Sequence, residues 1–401
     1  MHVLLLPSWY PTTESPIGGV YFREQARMLQ DAGMTVGVVY PEHHSLRHLS
    51  LSAVRRNRFQ TEWTSEPVPT LRRHGWNVWS RLRWGLQGRI ETAVNLAEQY
   101  IEQRGRPDVV HAHSAQWAAA AAARIQEQTG IPYVVTEHFS GYRENRVFAW
   151  QWPIIREGFD NARSIACVSE ALKTDLVTRD LARSTDVDVA PNPTDTTFFR
   201  LPAEDRLIGR TRASEEFRLL TVGRLTPNKR IDLVLLALTH CPPSVVAAIV
   251  GEGPEEEALR RLAQRLNVTD RVRFVGKQDR RGVRRNYWAA DALVVPSQVE
   301  TFGLVLVEAM ATGLPVIATR SGGPEDIVTP NTGILVPTDD VEALAAAVKT
   351  LKGAPADRFR PETIRSVAVD RYSPDAFVQR SRSLYEDARL NRSARPFPLR
   401  P

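Results

Sequence analysis

The stretch ETFGLVLVEAMATGLPVIATRSGGPEDIV, residues 300–328, decides how this chain is read. Glu300 and Glu308 stand eight apart in one of its most hydrophobic segments, with Gly303 and the run Leu304–Val307 between them. Burying a carboxylate is costly unless something binds it. Either these glutamates have partners inside the protein, or they hold a ligand. The spacing predicts a helix that begins around Phe302–Leu304, carries Glu308, and stops at Thr312 before Gly313. Its first amides, from Gly303 to Val305, have no partner within the helix and are free for one outside it. ALVVPS before the stretch and LPVIATR inside it read as buried strands, so the local pattern is strand, loop, helix, strand.

The same alternation extends in both directions. Upstream in this half lie RLLTVGRL, SVVAAIVGEG and RVRFVGK, and downstream TGILVP, with helical patterns such as PEEEALRRLAQRLN between them. The first half repeats the texture with HVLLLP, TVGVVYP, DVVHAH, PYVVTEH, SIACVS and VDVAPNP. Strands alternating with helices imply βαβ units and a parallel sheet. Between the halves, PNPTDTTFFRLPAEDRLIGRTRASEEF is polar, proline-containing and without period. The expected organisation is therefore α/β, in two Rossmann-like doubly wound domains: residues 1–193, a connection over 194–217, a second domain over 218–372, a last helix over 373–391 and a loose tail over 392–401. Open α/β sheets bind ligands beyond the carboxyl ends of their strands, so two such domains facing each other would form a central cleft.

Composition sets the class. The chain has 401 residues, 42% apolar and 24% charged, which is ordinary for a soluble globular protein. No window offers the roughly 18 uncharged apolar residues that cross a bilayer. MHVLLLPSWYP reads as a first strand instead of a signal peptide. Cys167 and Cys241 make neither a disulfide framework nor a metal-ligand pattern, which fits a reducing cytoplasm. The net charge is +6, and only Lys173, Lys229, Lys277, Lys349 and Lys352 among the 52 basic residues are lysines. That arginine excess reflects either codon bias or an anionic partner. Arg55, Arg56, Arg58, Arg72, Arg73, Arg81, Arg83 and Arg89 cluster with Trp63, Trp76, Trp79 and Trp84. Positions 79, 82, 86, 90, 93, 97 and 100 form an apolar helical face, leaving Arg72, Arg73, Arg81, Arg83 and Arg89, with Trp76 and Trp84, as either a solvated helix face or an exposed basic-aromatic surface for an anionic membrane. No nucleic-acid module accompanies it.

The strand ends carry the chemistry. Gly18 and Gly19 precede a helix starting near Val20, which suits an anion at the helix N-terminus and equally an ordinary tight turn. DVVHAHS places His113 at a strand end, with His111 one strand-turn earlier, and the next strand also ends in a histidine, His138. In VGRLTPNKRID, Gly223, Arg224 and Lys229 follow a strand and offer two cations to a diphosphate. Asp186 and Asp188 form the one Asp-x-Asp pattern, expected to face solvent, so no metal is assigned. Charge neutralisation then falls to Arg224, Lys229 and helix-end amides. Gly253, Pro254 and Lys277 also follow strand ends in the second half, and Tyr142 and Arg143 follow PYVVTEH in the first.

Taken together, PSWYP, GGVYFREQARML, DVVHAH, PNPTD, VGRLTPNKRID, VGEGPE, AADALVVPS and the Glu-x7-Glu stretch resemble the retaining glycosyltransferases of family 4, with GT-B architecture. The resemblance covers most of the chain. It implies that Glu300 binds hydroxyls of the donor hexose and Glu308 the nucleotide ribose. Arg224 and Lys229 would hold the diphosphate, with the amides of Phe302, Gly303, Leu304 and Val305 contacting sugar and phosphate. Gly19 would approach the diphosphate from the first domain, His113 would lie near the reacting sugar, Gly253, Pro254 and Lys277 would edge the nucleotide base, and His138, Tyr142 and Arg143 would meet the acceptor. Glu137 stands where many relatives carry an apolar residue, which reads as an acceptor difference and bears on His138. The resemblance further implies a nucleotide-sugar donor, transfer with retention, no metal or other cofactor, and a front-face attack. The acceptor would be a glycan or lipid-linked, as for bacterial surface polysaccharides, with the protein cytoplasmic or peripheral at the inner face of the membrane. The alternatives are a sugar-nucleotide epimerase or phosphorylase of the same architecture, and a catalytically silent binding module.

Overall fold

The computed structural model describes residues 1–12, 15, 18–45, 54, 60–64, 68–77, 82–202, 216–355 and 357–390. The chain divides into two compact units, one of residues 1–168, 172–190 and 377–401, the other of residues 169–171 and 191–376. The polar connection thus goes with the second unit from residue 191. Inside that unit, the amide of Thr194 donates to the carbonyl of Tyr372 at 2.7 Å. The final helix, Pro374–Arg389, belongs to the first unit from Phe377 onward.

The first unit is built on an eight-stranded sheet: β1 (His2–Pro7), β2 (Thr35–Ser45), β3 (Thr61–Thr64), β4 (Thr70–Asn77), β5 (Val109–His113), β6 (Tyr133–Glu137), β7 (Ser164–Cys167) and β8 (Val187–Val189). Their order is β3-β4-β2-β1-β5-β6-β7-β8, parallel except for the antiparallel edge pair β3/β4. β5, β6 and β7 are buried at every position, as expected of parallel strands covered on both faces. Small residues bring two covering helices close together. Ala118–Ala123 are all buried in the helix Ala118–Thr129. A side chain at Gly158, on the helix Trp152–Asp160, would meet the Cβ of Ala119 at 2.6 Å.

The second unit has six parallel strands: β9 (Phe217–Val222), β10 (Val245–Val250), β11 (Val272–Gly276), β12 (Ala292–Val295), β13 (Val316–Thr319) and β14 (Gly333–Val336). The order is β11-β10-β9-β12-β13-β14. In strand succession this is 3-2-1-4-5-6, the doubly wound dinucleotide-fold order. Its core packs Leu233, Leu235 and Leu238 with Ile249, Val294, Ile317, Leu344 and Val348.

Each sheet reverses its winding once. The reversal falls between β1 and β5 in the first unit, and between β9 and β12 in the second. Loops diverge there and leave a crevice at the carboxyl ends of the strands. Among the described residues no helix is long and apolar enough to cross a membrane.

Candidate functional site

In the second unit the reversal brings together residues that the sequence keeps 71 apart. The loop after β9 ends in a single 3-10 turn, Pro227–Lys229. The loop after β12 carries Glu300, which pairs with Gly322 in an isolated parallel bridge. Its amide donates to the carbonyl of Ser321, and its carbonyl accepts from Gly323 at 2.7 Å. So pinned, Glu300 receives the Lys229 ammonium on Oε2 at 2.6 Å. The lysine side chain is 31% exposed and that of Glu300 14%, so the pair borders solvent. One ammonium hydrogen is engaged there, and Lys229 has two more donors for an anion.

Gly303 follows at φ 101°, and a side chain there would strike Leu306 Cδ1 at 2.8 Å. This left-handed glycine turns the chain directly into the helix Leu304–Ala311, in agreement with the expected start. The N–H groups of Leu304 and Val305 lie in its first turn, where no partner exists within the helix. Phe302 beneath is buried edge-on against Tyr372.

Glu308 lies one turn deeper. Tyr287, fully buried on the helix Arg280–Ala289, donates its hydroxyl to Glu308 Oε2 at 2.9 Å. Burial raises the Glu308 carboxyl from its ordinary 4.5 to about 7, against the smaller opposing effects of the Tyr287 hydrogen bond and of Arg280. Tyr287 is a site residue that the sequence reading did not assign. Its only trace there is its place in the helix before ALVVPS.

The other expected donor residues lie on the loops after β9, β10 and β11. Arg224 is exposed on the loop after β9, beside Gly223. A side chain on Gly253 would meet the carbonyl oxygen of Leu225 at 2.3 Å, so this glycine lets the loops after β9 and β10 touch. Pro254 is exposed near the start of the helix Glu256–Arg265. Lys277 is exposed and pairs with Glu252 at 2.8 Å.

In the first unit, Gly19 sits at φ 72° as the N-cap of the helix Val20–Asp31. A Cβ there would lie 2.5 Å from the carbonyl oxygen of Trp9, so the turn admits glycine alone. The amide of Gly18 bonds the carbonyl of Ser15 at 3.1 Å. His113 closes β5 with its Nδ1 3.2 Å from His138 Nε2, after β6. Phe22 packs on both rings, at 4.7 and 5.0 Å. Burial, then the nearby His111 and His138, holds His113 well below the usual imidazole range. Burial pushes His138 down to about 3. Both rings are therefore neutral near pH 7. Nδ1 of His138 is buried without a hydrogen-bond partner among the described residues.

His111 is bound at both nitrogens, by Tyr385 at 2.8 Å and Thr136 at 2.7 Å, and serves the fold.

Three expectations are corrected. Glu137 is an interior anchor, not an acceptor contact: it is fully buried and accepts from Ser114 Oγ, Tyr142 Oη and the amides of Ala115, His138 and Phe139 at 2.6–2.9 Å. Tyr142, expected at an acceptor edge, is 1% exposed with its hydroxyl committed to that anchor, while Arg143 pairs with Asp175 at 3.3 Å. Asp186 is exposed as expected, but Asp188 is half-buried, and burial raises its carboxyl.

The arginine–tryptophan surface is also smaller than expected. Arg72 donates to Glu42 and stacks over Tyr10, Arg89 turns inward over Trp117, and Trp63 donates to Gln103. The buried face of the helix Arg83–Arg104 begins at Ile90, and Leu82 before it is exposed. Arg83 and Trp84, the latter 81% exposed, remain at the surface. Arg55, Arg56, Arg58, Trp79 and Arg81 lie outside the described residues.

Comparison with known proteins places this arrangement. Residues 207–365 match the family description "Glycosyl transferases group 1", and residues 18–198 match "Glycosyltransferase Family 4". D-inositol 3-phosphate glycosyltransferase 2 of Catenulispora acidiphila is 31% identical over 66% of this chain and 67% of its own length. The sucrose-phosphate synthase of Thermosynechococcus elongatus superposes with a TM-score of 0.76 at 22% identity, over 96% of this chain and 98% of its own. The structure of Anabaena HepE in complex with UDP gives 0.72 at 19% identity, over 96% and 100%. Two Rossmann-like units with this strand order define the GT-B class of fold. The chain belongs to glycosyltransferase family 4. It spans about half to two thirds of the length of the first curated relatives it matches.

Proposed function

We propose that the chain transfers a sugar from a nucleoside-diphosphate donor to a glycan or lipid-linked acceptor, with retention of configuration and without a metal in the transfer. The observation that carries this reading is the Lys229–Glu300 pair at the β9/β12 reversal, beside a helix N-terminus. As the bond from the sugar to the diphosphate breaks, negative charge grows on the leaving oxygen. Lys229, Arg224 and the amides of Leu304 and Val305 neutralise it. Glu300, oriented by Lys229, accepts hydrogen bonds from sugar hydroxyls, and Glu308 from the ribose. A leaving oxygen on the face of attack takes the proton of the acceptor hydroxyl, which gives retention. His113 and His138 act as neutral hydrogen-bonding rings toward sugar hydroxyls. Membrane-surface association falls, among the described residues, to Arg83 and Trp84. Flotation with anionic vesicles at low salt tests it, and the absence of binding rules it out.

The transfer is tested by incubating the protein with UDP-sugars first, since the HepE complex contains UDP, and then with GDP- and ADP-sugars. Product is followed by NMR with an acceptor panel and EDTA present. A product with the donor's anomeric configuration, formed only when acceptor is added, is expected. Inversion, or a dependence on added metal, overturns those parts of the reading. Conversion of the donor without acceptor favours the epimerase.

A further inference from the structure

Toward the edge of the first sheet, β2, β3 and β4 carry a second constellation. β2 and β4 are parallel neighbours in which Glu42 pairs with His74 and His44 with Trp76. Alternation puts Glu42 and His44 on one face of β2. The register puts His74 beside them, and Glu62 enters from β3, opposite Arg72. Glu42 and His44 are buried and His74 half-buried.

Three atoms converge there. His44 Nε2 lies 3.2 Å from Glu42 Oε1 and 3.3 Å from His74 Nδ1, and His74 Nδ1 lies 3.9 Å from Glu42 Oε1. Bonds of 2.0–2.2 Å from zinc to nitrogen and oxygen make the edges of a tetrahedron about 3.3–3.5 Å long. The observed triangle is close to one face of that figure. Hydrogen bonding alone serves it poorly. His74 Nε2 is 2.8 Å from Glu62 Oε1, so its proton sits there and Nδ1 is left as a bare acceptor. Glu42 Oε1 is another acceptor. A single proton on His44 Nε2 is split between the two at 3.2 and 3.3 Å, whereas a cation in their midst satisfies all three lone pairs.

The surroundings match a metal's outer shell. A carboxylate on the far nitrogen of a ligating histidine fixes its tautomer, as Glu62 does for His74. Arg72 holds Glu42 Oε2 at 2.8 Å, is itself anchored on the carbonyl of Pro11, and leaves Oε1 to point at the cluster. The rings of His44 and His74 lie 17° from parallel, and Trp76 packs against His44.

We propose that Glu42, His44 and His74 form a divalent transition-metal site of the zinc class, with one coordination position left for water or a substrate oxygen. Two imidazoles and a carboxylate suit Zn²⁺ over Mg²⁺ or Ca²⁺. The site ties β2 to the edge pair β3/β4. It shares no residue with those assigned to sugar transfer, so transfer without a metal and this site stand independently.

Tag-free protein stripped with chelator is titrated with Co²⁺ alone. One equivalent, with the intense visible absorption of tetrahedral cobalt and displacement by Zn²⁺, is expected. His44→Gln and His74→Gln each lose at least a hundredfold in affinity. Glu62→Gln weakens binding about tenfold to a hundredfold while the spectrum persists. His240→Gln, altering an exposed histidine elsewhere, leaves binding unchanged. Wild-type protein without the cobalt band, or variants at both positions 44 and 74 that keep it, overturns the proposal. Should those variants fail to fold, Zn²⁺ protection of His44 and His74 from diethylpyrocarbonate, mapped by mass spectrometry, decides in wild-type protein. Equal modification with and without zinc overturns the site.

Discussion

The two sheet reversals have the same topology and opposite chemistry. At β9/β12 a lysine and a glutamate meet at the solvent border beside a helix N-terminus, an arrangement for an anion. At β1/β5 two histidines are buried under Phe22 and held neutral, an arrangement for uncharged hydroxyls. The strand order decides where a ligand can bind. The side chains at the loop starts, and how far they are buried, decide which ligand.

The sharpest way to break this contrast is to remove the charge from one side. Lys229→Ala should lower the transfer rate about 10²–10³-fold, the usual effect of deleting one preorganised donor to developing charge. Steady-state kinetics at saturating donor checks it. A loss under tenfold would mean that Lys229 serves Glu300 alone.

The second test uses acid. His111 and His138 are pushed by burial to about 3, and His113 well below its usual range, from 6.5 in each case. The folded state therefore binds fewer protons than the unfolded chain. Its stability is complete above pH 6.5 and falls as pH drops toward 3. Between pH 6.5 and 5 each such histidine costs about 2 kcal/mol. Denaturant unfolding at pH 7 and 5, followed by tryptophan fluorescence, should show the first unit weakening. Equal midpoints would place the rings in contact with water.

Glu137→Gln sharpens the same side. The amide would set an N–H₂ group against donors that now point at a carboxylate, at a cost of about 2 kcal/mol in unfolding free energy. Thermal unfolding reads it, and an unchanged midpoint would remove Glu137 as the anchor.

The smallest effect lies in the second unit and has the opposite sign. Glu308 titrates at about 7 when folded, against 4.5 ordinarily, so its ionisation destabilises the fold as pH rises through that window. Glu308→Gln should raise the unfolding free energy by about 1 kcal/mol at pH 8, with the carboxyl half-buried, but hardly at pH 5. Donor affinity of the wild type should rise from pH 6 to 8, as the carboxylate becomes able to accept ribose hydroxyls. Calorimetric titration at the two pH values checks it.

What was legible in the sequence was local. Gly303, Leu304 and Glu308 lie on one helical start, and the glycine and the apolar run announce it. Histidines ending two successive strands marked His113 and His138. Lys229 and Glu300 were both named, but their 2.6 Å contact comes only from the strand order. What failed depended on partners far along the chain. His111 is claimed by Tyr385, 274 residues away, and Tyr287 reaches Glu308 from another helix. Arg89 counted as a surface charge until Trp117 covered it. Glu42, His44 and His74 form no spacing motif, because two strands in register bring them together.

The central claim is that the β9/β12 reversal holds a nucleoside diphosphate through Lys229, Glu300 and Glu308 without a metal. Thermal stabilisation by UDP, GDP, ADP and their sugars, with and without EDTA, on wild type, Lys229→Ala and Glu308→Ala, tests it most directly. The account predicts a shift for one nucleotide that EDTA leaves intact and both variants weaken. A shift abolished by EDTA, or no shift with any nucleotide, would contradict it.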